Sequence, residues 1–227
     1  MSERPDHLGH RRRLREKFLR AGADSLHDYE LVELLLTYAV PRKDVKPLAK
    51  ELLKRFGGLA GLMDADPAEM QKVPGIGQAG AALVKLAKEL SCQYLAACMK
   101  DTDLMASPKA VVDFAKARLA GLGCECFMAV FLNAKNRLID CQVVHEGTVD
   151  HAVVYPRRIL EAALSVHAAG LILVHNHPSG DPAPSDDDRK LTRSIQDAAR
   201  PLDIRVLDHI IIGRGGYCSF AEKKLLT

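Results

Sequence analysis

The sequence predicts an α+β protein, an all-α domain over residues 1–100 followed by a mixed-sheet domain over residues 107–227. Three observations predict it. From residue 14 to about residue 99 apolar side chains recur three and four apart, the period of a helix face, and no strand is legible there. Beyond Lys100 short apolar runs alternate with helical segments, the order of a sheet flanked by helices. Between the two, Asp101-Thr102-Asp103 is polar, and Ser107-Pro108 offers an N-cap and a first-turn proline to a new helix.

In the first half, stretches such as 30–36 and 82–86 read as helices, punctuated at Gly22, the Pro41 turn, Gly57-Gly58 and Pro74-Gly75. Asp66-Pro67-Ala68-Glu69 reads as the N-cap, first-turn proline and capping-box acid of a short helix that ends at Val73-Pro74. Gly75-Ile76-Gly77 then turns tightly into a longer helix, a helix-hairpin-helix-like arrangement. Glycines at such a turn let backbone N–H groups approach a phosphate at the second helix's N-terminus without reading bases. DNA contact and a plain compact turn both fit this spacing. Lys72 and Lys85 stand close by in sequence. Arg11, Arg12, Arg13, Arg15 and Arg20 make the N-terminal helix basic, although a charge run is usually a solvated face.

In the second half, 127–132 reads as a buried strand, 133–136 as a turn and 137–144 as the returning strand of a hairpin. Pro156 opens a helix over 157–168, residues 171–174 form an apolar strand, Ser185 precedes a further helix, and 210–212 read as a strand.

Composition narrows the function. The 227 residues suffice for one large domain or two modest ones. The net charge is +3, with 17 Lys/Arg against 13 Asp/Glu in residues 1–100 and 15 against 16 in the remainder, a mild basic excess far below that of a dedicated nucleic-acid binder. Aromatics are sparse and Trp is absent, which disfavours single-strand binding by base stacking. The six cysteines form no CxxC pair, so neither a zinc ribbon nor a disulfide framework is indicated. No apolar run resembles a signal peptide or a membrane span, and the expected setting is cytoplasmic, without a membrane partner and with reduced thiols.

The chemistry concentrates in residues 171–188. Side chains two apart on a strand share a face, so His175 and His177, leaving an apolar strand, project into one pocket. Pro178 stops the ladder, and a Gly- and Pro-rich loop leads to Ser185-Asp186-Asp187-Asp188 at a helix start. An acid in that first turn can swing back, making Asp188 the third member of a two-histidine, one-carboxylate set. Three protein ligands leave a position open to water, the pattern of a catalytic Zn2+ site, where the water's pKa falls to about 7. Two alternatives stay open on spacing alone. The histidines can be ordinary polar residues leaving a strand, with Asp188 a capping-box partner of Ser185, and the same donors also suit non-haem iron.

The stretch HNHPSGDPAPSDDD resembles the H-x-H-P…S-x-x-D pattern of JAMM (MPN-type) metalloproteases, and within them the bacterial RadC family. The resemblance extends through Gly147-Thr148, Tyr155-Pro156-Arg157 and residues 207–213, and the helical first half is also similar to RadC proteins. It implies a JAMM/MPN zinc-hydrolase domain acting on a peptide or isopeptide, with zinc held by His175, His177 and Asp188 and with Ser185 donating to the substrate carbonyl or its oxyanion. It also implies a glutamate that activates the water. The matching position is Glu125, at the head of the first strand, ahead of Glu146 in a loop, because a strand start is held more rigidly. His145, His151 and His209 are open to roles behind the ligands, or to packing and surface roles. Asn176 departs from the Ser or Thr found between the histidines of many JAMM proteases, and no long insertion lies between Glu125 and Asp188 to hold a ubiquitin-like substrate. A competing reading is a non-catalytic, DNA-associated module whose metal site is structural or vestigial.

Overall fold

The computed structural model describes residues 6–41, 43–147 and 154–226. The chain divides into two compact units, Met1–Leu90 and Ser91–Thr227.

The first unit is helical, with α1 (Asp6–Ala21), α2 (Asp28–Leu36), α3 (Lys46–Phe56), α4 (Leu59–Asp64), α5 (Pro67–Gln71) and the start of α6 (Gly77–Lys100). Its core gathers Leu36, Leu52, Leu62, Met70, Ile76 and Val84, each such side chain stabilising by about 1.5–3 kcal/mol through burial. The Asp66 carboxylate caps α5 by accepting the Ala68 N–H at 2.6 Å. Glu69 does not complete the expected capping box. Its carboxylate pairs with Lys72 and, at 3.9 Å, with Arg55, because two cations lie within its reach. Gly75 (φ 102°) and Gly77 (φ 61°) make the turn into α6, a left-handed backbone that side chains with a Cβ resist. Lys85 donates to the Met63 carbonyl at 3.3 Å. On α1, Arg11 donates to the carbonyls of Val40, at 3.0 Å, and Lys43, Arg12 pairs with Glu16 and Arg15 lies over the Tyr38 ring, so part of the basic run is tied into its own unit.

The helix α6 ends at Lys100, where the sequence marks a boundary, yet the units divide ten residues earlier. The reason is packing: Leu95, Ala96 and Met99 of its last turns belong to the second unit's core.

That second unit continues with α7 (Pro108–Leu119), β1 (Cys126–Leu132), β2 (Leu138–Glu146), α8 (Pro156–Ser165), β3 (Gly170–Asn176), α9 (Asp186–Ala199), β4 (Arg205–Gly213) and β5 (Gly216–Ser219). Pro108 starts α7 as expected, but the Ser107 hydroxyl makes no capping bond. The sheet runs β2-β1-β3-β4-β5, with β3 and β4 parallel and the other neighbours antiparallel. Both β1 and β3 are buried along their whole length, which explains their unbroken apolar sequences. Met128, Val130, Ile172 and Val174 face one layer with α7. Phe127, Ala129, Leu171 and Leu173 face the other, with Ile159 of α8 and Ile195 of α9. The crossover from β3 through α9 to β4 puts the N-terminus of α9 at the carboxyl end of β3, where ligand sites form in sheets with parallel strands.

Candidate metal centre

His175 is fully buried at the end of β3, stacked on Phe127 with ring centroids 5.6 Å apart and planes 11° from parallel. His177 follows one residue beyond the strand and its N–H still bonds the Ile212 carbonyl of β4 at 2.9 Å, so both imidazoles are carried by one braced segment. The loop to α9 packs tightly against the end of β4. A Cβ on Gly213 would lie 2.4 Å from the Gly180 carbonyl oxygen and 2.9 Å from Pro182, so only glycine fits. This approach brings α9 back over the strand end.

Ser185 caps α9. Its hydroxyl accepts the Asp188 N–H at 3.1 Å and donates to Asp188 Oδ2 at 2.6 Å, while its own N–H bonds the same oxygen at 2.7 Å. The capping box and the site are therefore two uses of one carboxylate: Oδ2 anchors the helix start, and Oδ1 stands 3.1 Å from His175 Nε2. The two Nε2 atoms approach to 3.0 Å, and His177 Nε2 lies 3.5 Å from Asp188 Oδ2. Glu125, half-exposed just ahead of β1, places Oε1 4.0 Å from His175 Nε2.

Each imidazole is held from behind. His177 Nδ1 donates to the Asp181 carbonyl at 2.7 Å. His175 Nδ1 lies 2.8 Å from His209 Nε2, and His209 Nδ1 lies 2.6 Å from the Thr192 hydroxyl. His209 is buried between Phe127 and Phe220. Burial pushes its pKa well below the ordinary histidine value, so it is neutral. For Asp188 burial works to raise the pKa, but hydrogen bonds with His175, His177 and the Ser185 hydroxyl outweigh it and hold the carboxyl well below the usual carboxylate range. The hydrogen bond with Asp188 raises His177, against burial, with help from the Asp181 carbonyl.

Asn176 points to the opposite sheet face and is buried. Its Oδ1 accepts the Cys126 N–H at 2.8 Å, and its Nδ2 donates to the Cys124 carbonyl at 3.0 Å and, at 3.5 Å, to that of Leu122. The Glu125 carbonyl accepts the Gly147 N–H at 2.8 Å. The backbone on both sides of Glu125 is thus clamped, and the residue between the two histidines does it.

Of the residues singled out from sequence, His175, His177 and Asp188 come together with Glu125 beside them. The Ser185 hydroxyl is bonded to Asp188. Glu146 lies in β2, but its side chain is outside the described residues, as are Thr148 and His151. His145, opposite Phe127 on β2, has a buried Nε2 without a hydrogen-bond partner among the described residues. Thr192 and the Asn176 clamp were not read from sequence. For Thr192 the signal was present, since it lies four residues after Asp188 on the buried stripe of α9 that continues through Ile195 and Ala199.

The donor set fits a metal. His175 and His177 turn Nε2, and Asp188 a carboxylate oxygen, into one space, with all three atoms within 4.8 Å of one another. Donors bound at 2.0–2.1 Å to a tetrahedral zinc lie roughly 3.3 Å apart, close to the 3.0 and 3.1 Å separations here. A mixed sheet with two histidines leaving a central strand and an acid in the next helix's first turn defines an α+β domain of the JAB/MPN class. Residues 105–225 match the family model described as RadC-like JAB domain, and residues 6–82 match the UPF0758 N-terminal model. The chain belongs to the RadC family. Among the described residues no helix is long and apolar enough to cross a membrane.

Proposed function

We propose that this protein is a cytoplasmic zinc-dependent hydrolase that cleaves a peptide or isopeptide bond. The observation that carries the reading is the convergence of His175 Nε2, His177 Nε2 and Asp188 Oδ1, with the Glu125 carboxylate at 4.0 Å from the first of them. His175, His177 and Asp188 would hold the ion, which when bound supplies Lewis acidity that polarises a carbonyl and lowers the pKa of a water to about 7. Glu125 takes the proton from the attacking water and returns it to the leaving nitrogen. Its half-exposed side chain reaches solvent and substrate alike, while the Asn176 clamp fixes its backbone. Ser185, exposed at the start of α9, exchanges its hydrogen bond to Asp188 for one to the developing oxyanion, a contact that strengthens as charge builds. His209 and the surrounding aromatic rings keep water away from the buried side of the cluster.

The test is metal content and hydrolysis measured together. Purified without chelators, the chain carries close to one zinc and His177→Ala carries almost none. Glu125→Gln keeps the zinc and loses hydrolysis by about 10²–10⁴-fold, the usual worth of a general base. Equal, near-zero zinc in the parent and His177→Ala would refute the enzyme reading. A Glu125→Gln variant with undiminished turnover would refute the role of Glu125, and oxygen-dependent turnover would favour an iron enzyme.

A second contact is proposed for the helical unit. The positive φ of Gly75 and Gly77 shapes a backbone turn at the start of α6 suited to a DNA phosphate. Fluorescence anisotropy with a duplex oligonucleotide should show binding that weakens steeply between 50 and 200 mM salt, roughly 10-fold or more for a few phosphates contacted. Binding unaffected by replacing Gly75 and Gly77 with Ala, in a variant that still folds, would dismiss that contact.

A further inference from the structure

The hydrogen bonds behind His175 form a directed chain anchored on a group unable to donate. The Thr192 hydroxyl has one proton, and 2.6 Å away lies the Asp188 carbonyl oxygen, which only accepts. With the proton committed there, Thr192 Oγ1 faces His209 Nδ1, also at 2.6 Å, as an acceptor, so Nδ1 of His209 carries the hydrogen. That leaves His209 Nε2 bare, 2.8 Å from His175 Nδ1, which must then be the protonated nitrogen of His175. The remaining nitrogen of His175, Nε2, keeps its lone pair and is the atom turned toward His177 and Asp188. His177 reaches the same state by a shorter route, its Nδ1–H donating directly to the Asp181 carbonyl.

We propose that Thr192 and His209 are positioning residues that hold His175 in its metal-ready tautomer, an inference that rests on the metal reading given above. All three side chains are buried, so solvent does not reset the proton positions. The chain starts at the backbone of Asp188, itself one of the proposed ligands, and ends on His175, so the start of α9 sets both the place of the carboxylate and the proton arrangement of the imidazole. Removing the Thr192 hydroxyl reverses the preference. His209 Nδ1–H would lose its buried acceptor, the proton would move to Nε2, and it would then oppose the Nδ1–H of His175.

The experiment compares the full-length parent with Thr192→Val and Thr192→Ser. Zinc affinity is read by competition with a chromophoric chelator, and histidine tautomers by ¹⁵N chemical shifts of the zinc-loaded chains. Thr192→Val should weaken zinc by about 10–100-fold, the range seen when a ligand's hydrogen-bond partner is removed. Thr192→Ser, which restores the hydroxyl, should return to within about 3-fold of the parent, a rescue expected if the hydroxyl is the element that matters. In the loaded parent His209 should show the Nδ1–H tautomer. Equal zinc affinity in parent and Thr192→Val, or His209 protonated on Nε2 in the loaded parent, overturns the inference while leaving the metal reading intact. A parent chain that takes up no zinc overturns both. If Thr192→Val fails to fold, the tautomer of His209 in the parent decides alone.

Discussion

Replacing Asn176 with Ala removes a side chain that touches neither the His175–His177–Asp188 cluster nor solvent, yet it should loosen the approach to β1. Besides its long contact with the Leu122 carbonyl, the Asn176 amide makes two close backbone bonds, to the Cys126 N–H at 2.8 Å and the Cys124 carbonyl at 3.0 Å. A buried polar group deprived of its partner costs about 1–3 kcal/mol, so the two together cost roughly 3 kcal/mol. With a urea slope of about 2 kcal/mol per molar, that is a midpoint lowered by roughly 1.5 M. Circular dichroism during urea titration measures the loss. Amide hydrogen exchange locates it, because the Cys126 N–H should exchange faster than its neighbours in the middle of β1. Asn176→Ser should recover only part, since one hydroxyl cannot span both groups as the amide does. A loss below about 0.5 kcal/mol, the scale of a neutral surface change, together with unaltered exchange at Cys126, would refute the clamp.

Other expectations follow from the same structure. Burial pushes the Asp208 carboxyl above its ordinary value, only partly offset by the Ser219 hydroxyl and the N–H groups of Ala221 and His209. The folded chain thus keeps this proton to higher pH than the unfolded chain, and stability falls as pH rises from the unfolded carboxyl value through the folded one. Asp208→Asn should remove that fall, so the urea midpoint at pH 6 should rise relative to the one at pH 3.5 by comparison with the parent; an unchanged pH dependence would count against it. Burial, with the charge of Asp140, also raises the Cys141 thiol to about 12, so at pH 8 iodoacetamide followed by mass spectrometry should mark exposed Cys98 well before Cys141. Labelling in the opposite order would contradict the burial argument. Zinc at about 100 times its Kd should stabilise the folded chain by about 2.7 kcal/mol, and His177→Ala should abolish the gain in a thermal melt; a gain of equal size in that variant would place the ion elsewhere.

Much of the sheet domain was legible because its central strands are covered on both faces. An unbroken apolar run such as Phe127 to Leu132 has few other readings, and the two-residue period carried His175 and His177 to one side. The last strand, β5, escaped notice for the opposite reason. Gly216-Tyr217-Cys218-Ser219 is short, begins with glycine, and exists through its pairing with Ile210, Ile211 and Ile212. Within the site, local spacing suggested the three donors, whereas Glu125 was named through a family resemblance and its 4.0 Å approach to His175 is a tertiary fact. The supports were hidden by distance along the chain: Asn176 meets Cys126 across 50 positions and Thr192 meets His209 across 17. The Glu69 capping box failed because local sequence does not report Arg55, a competing cation from another helix.

Because Asp188 gives Oδ2 to the cap of α9 while Oδ1 faces His175, fraying of that helix end and release of the carboxylate are one event. An ion seated against Oδ1 would act as a rivet through the first turn, slowing amide exchange at Asp188 and Arg189. Conversely, a sequence change that merely weakens the cap, such as Ser185→Ala, should speed the ion's departure as well as its own turn's unwinding, tying the lifetime of the bound state to the breathing of a single helical terminus.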